Sequence, residues 1–354
     1  MPVFEQRLSV MIRKARAFLN LQAGVTLSET ALPWFTQAAD QDEGLKKAYE
    51  ELANKEEEIK DLRARLVRSS SVIEPGRIKP ENIVWIFGTG RSGNTWLTAM
   101  MESAGHPVWK EPAIGKLFGE FYYASRDTQR KNAKFVMGDP RKEVWLGSIR
   151  RFVLDGASGR FAELSGDNDY LVVKEQVGSI GAPLLLEALP ESRMIFLVRD
   201  PRDVVSSWLD GSRSGGWHQE NMARKNPRRT SRTDENPDRF VKGLASHYAK
   251  NVGKAADAYE AHQGPKVLVR YEELRADTLA TMERIHSTLG MEVDEELLAR
   301  SVEEHSWENI PEEEKGEGKF RRKAKPGSWR EDLTPEQVRI VEEATDRFLE
   351  QFYS

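Results

Sequence analysis

The chain has 354 residues, of which 39% are hydrophobic and 31% charged. That is long enough to bury a core and too apolar for a disordered segment. A net charge of −4 offers no global basic field for nucleic acid, and the absence of cysteine excludes disulfides, thiolate nucleophiles and zinc–sulfur sites.

Residues 3–22 alternate apolar and basic positions at helical spacing, which suits a packed amphipathic helix or weak contact with a membrane surface. Arg13, Lys14 and Arg16 interrupt the positions that a secretory h-region keeps apolar, so a cytoplasmic protein is expected. Residues 1–40 suggest one or two short helices, with Ser28 or Thr30 as caps and Pro33 as a breaker. Over 43–67, Leu45, Leu52, Ile59 and Leu66 recur every seventh residue, with Ala48 and Leu62 between them and Lys55 weakening the seam. This predicts either a short coiled coil or a lone helix packed on its own domain. The Ser69–Ser71 run, Pro75, Gly76 and Pro80 mark a linker. The expected organisation is an N-terminal helical region, 1–75, and a second domain, 80–354.

Beyond the linker the texture becomes α/β. Ile83–Phe87, Tyr170–Lys174, Met194–Val198 and Val267–Tyr271 read as buried strands, and none is long enough to cross a membrane. Helical stretches near 182–190, 203–209, 239–262 and 277–289 separate them, which predicts a parallel sheet covered on both faces. Residues 211–238, rich in Gly, Pro and Arg, read as a long basic loop serving either as linker or as substrate contact.

The strongest local pattern is Phe87-Gly88-Thr89-Gly90-Arg91-Ser92-Gly93-Asn94-Thr95-Trp96-Leu97. An apolar strand enters a turn with three glycines and leaves as a helix near Asn94. The N–H groups of such a turn converge on one spot that favours anions. Ser92, Asn94 and Thr95 add side-chain donors and Arg91 adds charge. No lysine follows Gly93, so the turn lacks the spacing of a Walker A loop, and no strand ends in an aspartate placed for Mg²⁺. A phosphate-bearing ligand that needs no metal fits this turn better than ATP or GTP.

Arg91-Ser92-Gly93-Asn94-Thr95-Trp96 resembles the 5′-phosphosulfate loop of the PAPS-dependent sulfotransferases. Val198-Arg199-Asp200-Pro201-Arg202 with Ser207 is similar to that family's 3′-phosphate segment. Two further blocks follow in the family's order. Arg270-Tyr271-Glu272-Glu273-Leu274 resembles the segment whose tyrosine lies near the adenine. Arg322-Lys323-Ala324-Lys325-Pro326-Gly327-Ser328-Trp329 resembles the C-terminal loop on the 3′-phosphate, with Ala324 where the family has glycine. The resemblance covers about 82–335. It implies a P-loop-like α/β fold, PAPS as sulfuryl donor, no metal, and an acceptor hydroxyl as second substrate.

The same resemblance frames the search for a base. In the cytosolic small-molecule enzymes a histidine follows a strand and a lysine; here Lys174-Glu175-Gln176 puts a glutamine there, and an amide is no base. Carbohydrate and protein-tyrosine enzymes use a glutamate after the first helix, and His106-Pro107-Val108-Trp109-Lys110-Glu111-Pro112 is similar to their segment. Glu111 is therefore the first candidate base and Glu175 the second. His106 reads as a packing residue, His218 as a remote third option, and Lys174 as a possible contact of the transferred group or an ordinary strand-end lysine. The acceptor expected is a sugar or sugar-lipid hydroxyl. Pro335 and Arg339 replace a valine and a glutamate of the family's dimer motif, so any homo-oligomer is expected through the N-terminal helix. The rival readings are a P-loop kinase and a non-catalytic PAP-binding coiled-coil scaffold.

Overall fold

The structure is a computed structural model that describes residues 78–225, Thr233, 235–353 and seven residues between 54 and 65. Most of the 43–67 heptad pattern and the 3–22 segment lie outside the described residues. Those described between 54 and 65 are helical, with Ile59 and Leu62 exposed and an Asp61–Arg65 pair one turn apart.

Five strands form one parallel sheet: β1 (Ile83–Gly88), β2 (Val108–Lys110), β3 (Leu171–Lys174), β4 (Arg193–Val198) and β5 (Lys266–Arg270), in the order β2-β3-β1-β4-β5. The four apolar runs are the four long strands, each placed within a residue or so of its expected bounds. Val267–Tyr271 ends one residue early, because Tyr271 opens a helix. β2 is a short edge strand, three residues of the His106–Pro112 segment, for which no strand was expected.

β1 is buried throughout, and its alternation serves two cores. Val84 and Ile86, with Ile195 and Leu197 of β4, meet Leu97, Met100 and Met101 of α1 (Asn94–Ser103) and Met282, Ile285 and Leu289 of a later helix (Thr278–Leu289). On the other face Trp85 stacks on Phe87, and Phe196 packs against Tyr259 of the helix Pro237–Ala261 and Phe352 of the C-terminal helix Pro335–Tyr353. A sheet buried on both faces needs such continuous apolar strands.

The chain leaves β1 toward β2 and β3 on one side and reaches β4 and β5 on the other. The order therefore reverses at β1, and the crevice beyond its carboxyl end is where open α/β sheets bind ligands. Between 211 and 238 the structure departs from the expected loop: α5 runs Pro201–Ser212 and α6 runs Trp217–Lys225. Its Gly and Arg content hid a nine-residue helix anchored by aromatic contacts from elsewhere. Residues 122–152 group apart from 73–121 and 153–354. Within that stretch Tyr122 donates to Asp139 and packs on Trp145. Among the described residues no helix is long and apolar enough to cross a membrane.

Candidate active site

The β1–α1 turn and the β4–α5 turn meet, because β1 and β4 are paired neighbours (Gly88 opposite Leu197). Arg199 Nη1 donates to the Arg91 carbonyl at 3.0 Å, and Arg91 Nε donates to Ser207 Oγ at 2.9 Å. Two segments 108 residues apart thus touch directly. From below, buried Tyr248 of a long helix (Pro237–Ala261) donates to the Arg199 carbonyl at 2.8 Å and fixes the strand end. Asp200 caps α5 by accepting from the Arg202 amide.

Gly93, at φ 92°, ends the turn. A Cβ there would lie 2.6 Å from the Tyr271 ring, so only glycine lets the loop sit against that tyrosine. Tyr271 in turn carries the Arg199 guanidinium 4.3 Å above its face and meets Trp96 edge-on. Trp96 Nε1 donates to the His305 carbonyl.

Around these turns lies a cleft of about 330 Å³. Arg91, Gly93, Asn94, Thr95, Trp96, Arg199, Ser207, Tyr271, Arg322 and Lys323 all line it. Ten of the residues singled out by sequence thereby converge on one space. Ser92 does not line it; its hydroxyl is buried behind the turn without a hydrogen-bond partner. Asn94 departs from the role of outward donor, since its amide nitrogen donates at 2.7 Å to the Thr89 carbonyl and braces the turn from inside.

Three guanidinium groups crowd this cleft. Burial first, and then Arg199 and Arg322, push Arg91 down to about 10. Arg199 Nε is buried with no partner, and Asp203 approaches that side chain only at 3.9 Å. Arg322 is better compensated, by Asp332 at 2.9 Å and by the Ser206 hydroxyl. Lys323 is held by Asp332 and Glu331. Such crowding of like charge, with an orphaned donor among them, suits a ligand carrying several negative charges. Residues 322–329 reach the cleft because fully buried Asp203 accepts from the amides of Gly327 and Trp329 at 2.7 and 3.0 Å. Ala324 keeps the left-handed backbone, φ 48°, that the glycine pattern implied.

Sequence reasoning missed Asp203 as this anchor. It also missed Trp217 and Phe320, whose rings lie 5.1 and 4.6 Å from the Arg91 guanidinium, while the Phe320 carbonyl accepts from Arg91 at 2.5 Å. Phe320 is 229 residues from Arg91, and no local pattern encodes that contact. His218 belongs to this aromatic group, 5.1 Å from Trp208.

A second cluster sits at the ends of β2 and β3. Lys174 Nζ lies 3.0 Å from Glu111 Oε1 and donates to Thr95 Oγ1 at 3.0 Å. Glu111 and Lys174 do not line the cleft; they reach it through Thr95. The other Glu111 oxygen is buried without a partner. Glu175 is fully buried, and its Oε1 accepts from the Ile114 amide at 2.6 Å. Burial, opposed by the Ile114 and Gly115 amides and aided by nearby Glu111, pushes it up to about 7. Gln176 lines the cleft where the histidine was sought. His106 stacks on His286 with the ring nitrogens 3.1 Å apart, inside the core, as its packing role required. His286 Nδ1 lies 2.8 Å from the Met282 carbonyl, so it carries the proton there and accepts from His106.

The family profile described as a sulfotransferase domain matches residues 81–353. Among curated proteins, cytosolic sulfotransferase 17 of Arabidopsis thaliana is 26% identical over 184 residues, covering 44% of this chain and 51% of that protein. The chain thus spans about half the length of that relative. Solved structures similar to it include a mouse sulfotransferase complexed with PAP (TM-score 0.45, 15% identity, 82% of this chain and 90% of that one). Retinol dehydratase in complex with androsterone and PAP is another (0.44, 19%, 82% and 86%), and a sulfotransferase from Mycobacterium avium a third (0.44, 14%, 78% and 78%).

Proposed function

Since the chain belongs to the sulfotransferase family, we propose that it transfers the sulfuryl group of PAPS to an acceptor hydroxyl. The observation that carries this reading is the meeting of Arg91, Arg199 and Arg322 in one cleft, with the first two on turns that touch. PAPS supplies the sulfuryl group, whose bond to the 5′-phosphate oxygen breaks as the acceptor oxygen bonds to sulfur and PAP is released.

The chain's own residues divide the remaining work. Thr95 and the backbone amides of the turn, those of Gly93 and Asn94 among them, hold the 5′-phosphate, and Arg91 meets the charge that grows on the departing oxygen. Arg199, Ser207 and Arg322, with Lys323 behind them, hold the 3′-phosphate. Tyr271 and Trp96 bound the nucleoside. Ser92, whose amide donates to the Thr89 carbonyl and whose hydroxyl is buried without a partner, serves the turn structurally. Glu111 takes the acceptor proton, and Lys174, already paired with it and with Thr95, orients it. No metal enters the scheme. A sugar or glycolipid hydroxyl is the acceptor class we favour, on the strength of the glutamate–proline segment; a cytoplasmic setting and oligomers through the N-terminal helix belong to the same proposal.

The test is a transfer screen with PAPS against sugars, glycolipids and phenols, read as the mass gain of a sulfate. A sulfated sugar supports the full reading. A sulfated phenol alone overturns the acceptor class, and a requirement for Mg²⁺ with a nucleoside triphosphate donor supports a kinase instead. PAP binding without turnover on any acceptor, and without any effect of Glu111→Gln, supports a scaffold.

A further inference from the structure

The segment that carries Glu111 has a conformation its residues resist. Glu111 and Ala113 both adopt left-handed backbone, φ 55° and 60°. Neither is glycine, and Glu111 also precedes Pro112, which narrows its choices further. Strain of this kind persists only where the surroundings over-determine it. Two of the restraints are plain. The Glu111 amide donates to the Lys174 carbonyl at 3.0 Å, extending the β2–β3 pairing by one bond, and the Lys174 ammonium holds the side chain.

The third restraint lies at the far end of the segment, where α2 (Ile114–Ala124) begins directly after Ala113. Its first turn presents unpaired amides, and Glu175 answers them. Glu175 Oε1 accepts from Ile114 N at 2.6 Å, and its Oε2 is buried beside the turn without a hydrogen-bond partner. Glu175 is itself anchored in the sheet, its amide donating to the Ile86 carbonyl of β1 at 2.9 Å. Beside it α2 lies backbone to backbone on the 178–181 turn: a Cβ on Gly115 would stand 2.2 Å from the Gly178 carbonyl. No side chain fills that contact, so Glu175 is the polar peg that seats α2.

We infer that Glu175 is a positioning residue for the transfer reaction: by pegging the first turn of α2 to the sheet, it holds the strained 111–113 backbone that presents the Glu111 carboxylate to Lys174. The inference rests on the proposed role of Glu111 as base. It assigns the second candidate base a different task, one that needs acceptor oxygens and not a removable proton.

The probe is hydrolysis of PAPS with water as acceptor, measured together with PAP affinity by calorimetry and with crystal structures of the PAP complexes. Glu175→Ala is expected to lower kcat on the order of 10²-fold while PAP affinity stays within about threefold, since misplacing a base by about an ångström has that cost. Glu175→Gln keeps an oxygen for the Ile114 amide and is expected to return kcat to within about fivefold of wild type. Gly178→Ala is a second route that removes no polar group; its Cβ would stand 1.8 Å from Glu175 Oε2 and push the carboxylate off the helix. It should reproduce the Glu175→Ala defect if that variant fails to fold. In the crystals, the Lys174–Glu111 contact of 3.0 Å should open in Glu175→Ala and Gly178→Ala and persist in Glu175→Gln. An intact contact in both disrupted variants overturns the inference. So does a Glu175→Gln enzyme as slow as Glu175→Ala, which would make Glu175 a proton acceptor. Unchanged hydrolysis in Glu111→Gln would instead overturn the base assignment, and the crystal contact would still decide the positioning role.

Discussion

The two ends of the site are built on opposite principles. At the tips of β1 and β4, cations are crowded together and tied to neutral groups: Arg91 to a serine and a backbone carbonyl, Arg199 to another carbonyl. At the tips of β2 and β3, Glu111 pairs with Lys174 near a second carboxylate, Glu175, and Glu111 sits on backbone forced into the left-handed region. The first arrangement leaves positive charge unspent and suits holding an anion. The second leaves a carboxylate oxygen without a partner and suits accepting a proton. Thr95 joins them, lining the cleft while accepting from Lys174. The comparison teaches that affinity and turnover should be separable by mutation.

The largest separation is expected from Glu111→Gln. Turnover should fall by on the order of 10²- to 10⁴-fold, with PAP affinity nearly unchanged. Steady-state kinetics beside calorimetry reads both numbers. Arg199→Ala should do the reverse, weakening PAP by about 2–4 kcal/mol, because a phosphate in the cleft loses a charged partner. A variant that moved both quantities equally would dissolve the distinction between the two ends.

The buried His106–His286 pair gives a pH prediction that leaves both ends untouched. Burial, and then His286, push His106 down to about 4. The unfolded chain therefore binds the proton first as pH falls. Stability is intact above the ordinary histidine pKa of about 6.5 and declines as pH drops from there through about 4, by on the order of 3 kcal/mol. Glu175, pushed up to about 7, works in the opposite sense, with stability lost as pH rises toward and through that value. Urea unfolding between pH 4 and 7 should show the acid limb flattened in His106→Gln, with PAP affinity at pH 7.5 unmoved. The smallest effect expected is a gain. Ala324→Gly relieves left-handed backbone and should stabilise the protein by about 1 kcal/mol, read as a raised midpoint, with no loss of PAP affinity.

What could be read in advance follows the locality of the signal. Long apolar strands and the glycine turn are local patterns, and the structure has them where the residues put them. The convergence of Arg91 and Arg199 was legible because both sit at strand ends and parallel strands align their ends. Three features were not legible. β2 is too short to show a period, and α6 is held by Trp208 and Phe320, which lie elsewhere in the chain. The third is the difference in setting between Glu111 and Glu175, since two glutamates beside strand ends look alike in sequence, while one pairs with Lys174 and the other accepts from the Ile114 amide.

The central claim is that two touching turns, one carrying Arg91 and the other Arg199, hold a doubly phosphorylated adenosine. Calorimetric titration of the full chain with PAP addresses it without reference to acceptor or base. The account predicts one molecule bound per chain, with a rise in unfolding free energy of about 2.7 kcal/mol when PAP is present at a hundred times its dissociation constant. No heat and no thermal protection at millimolar PAP would contradict it.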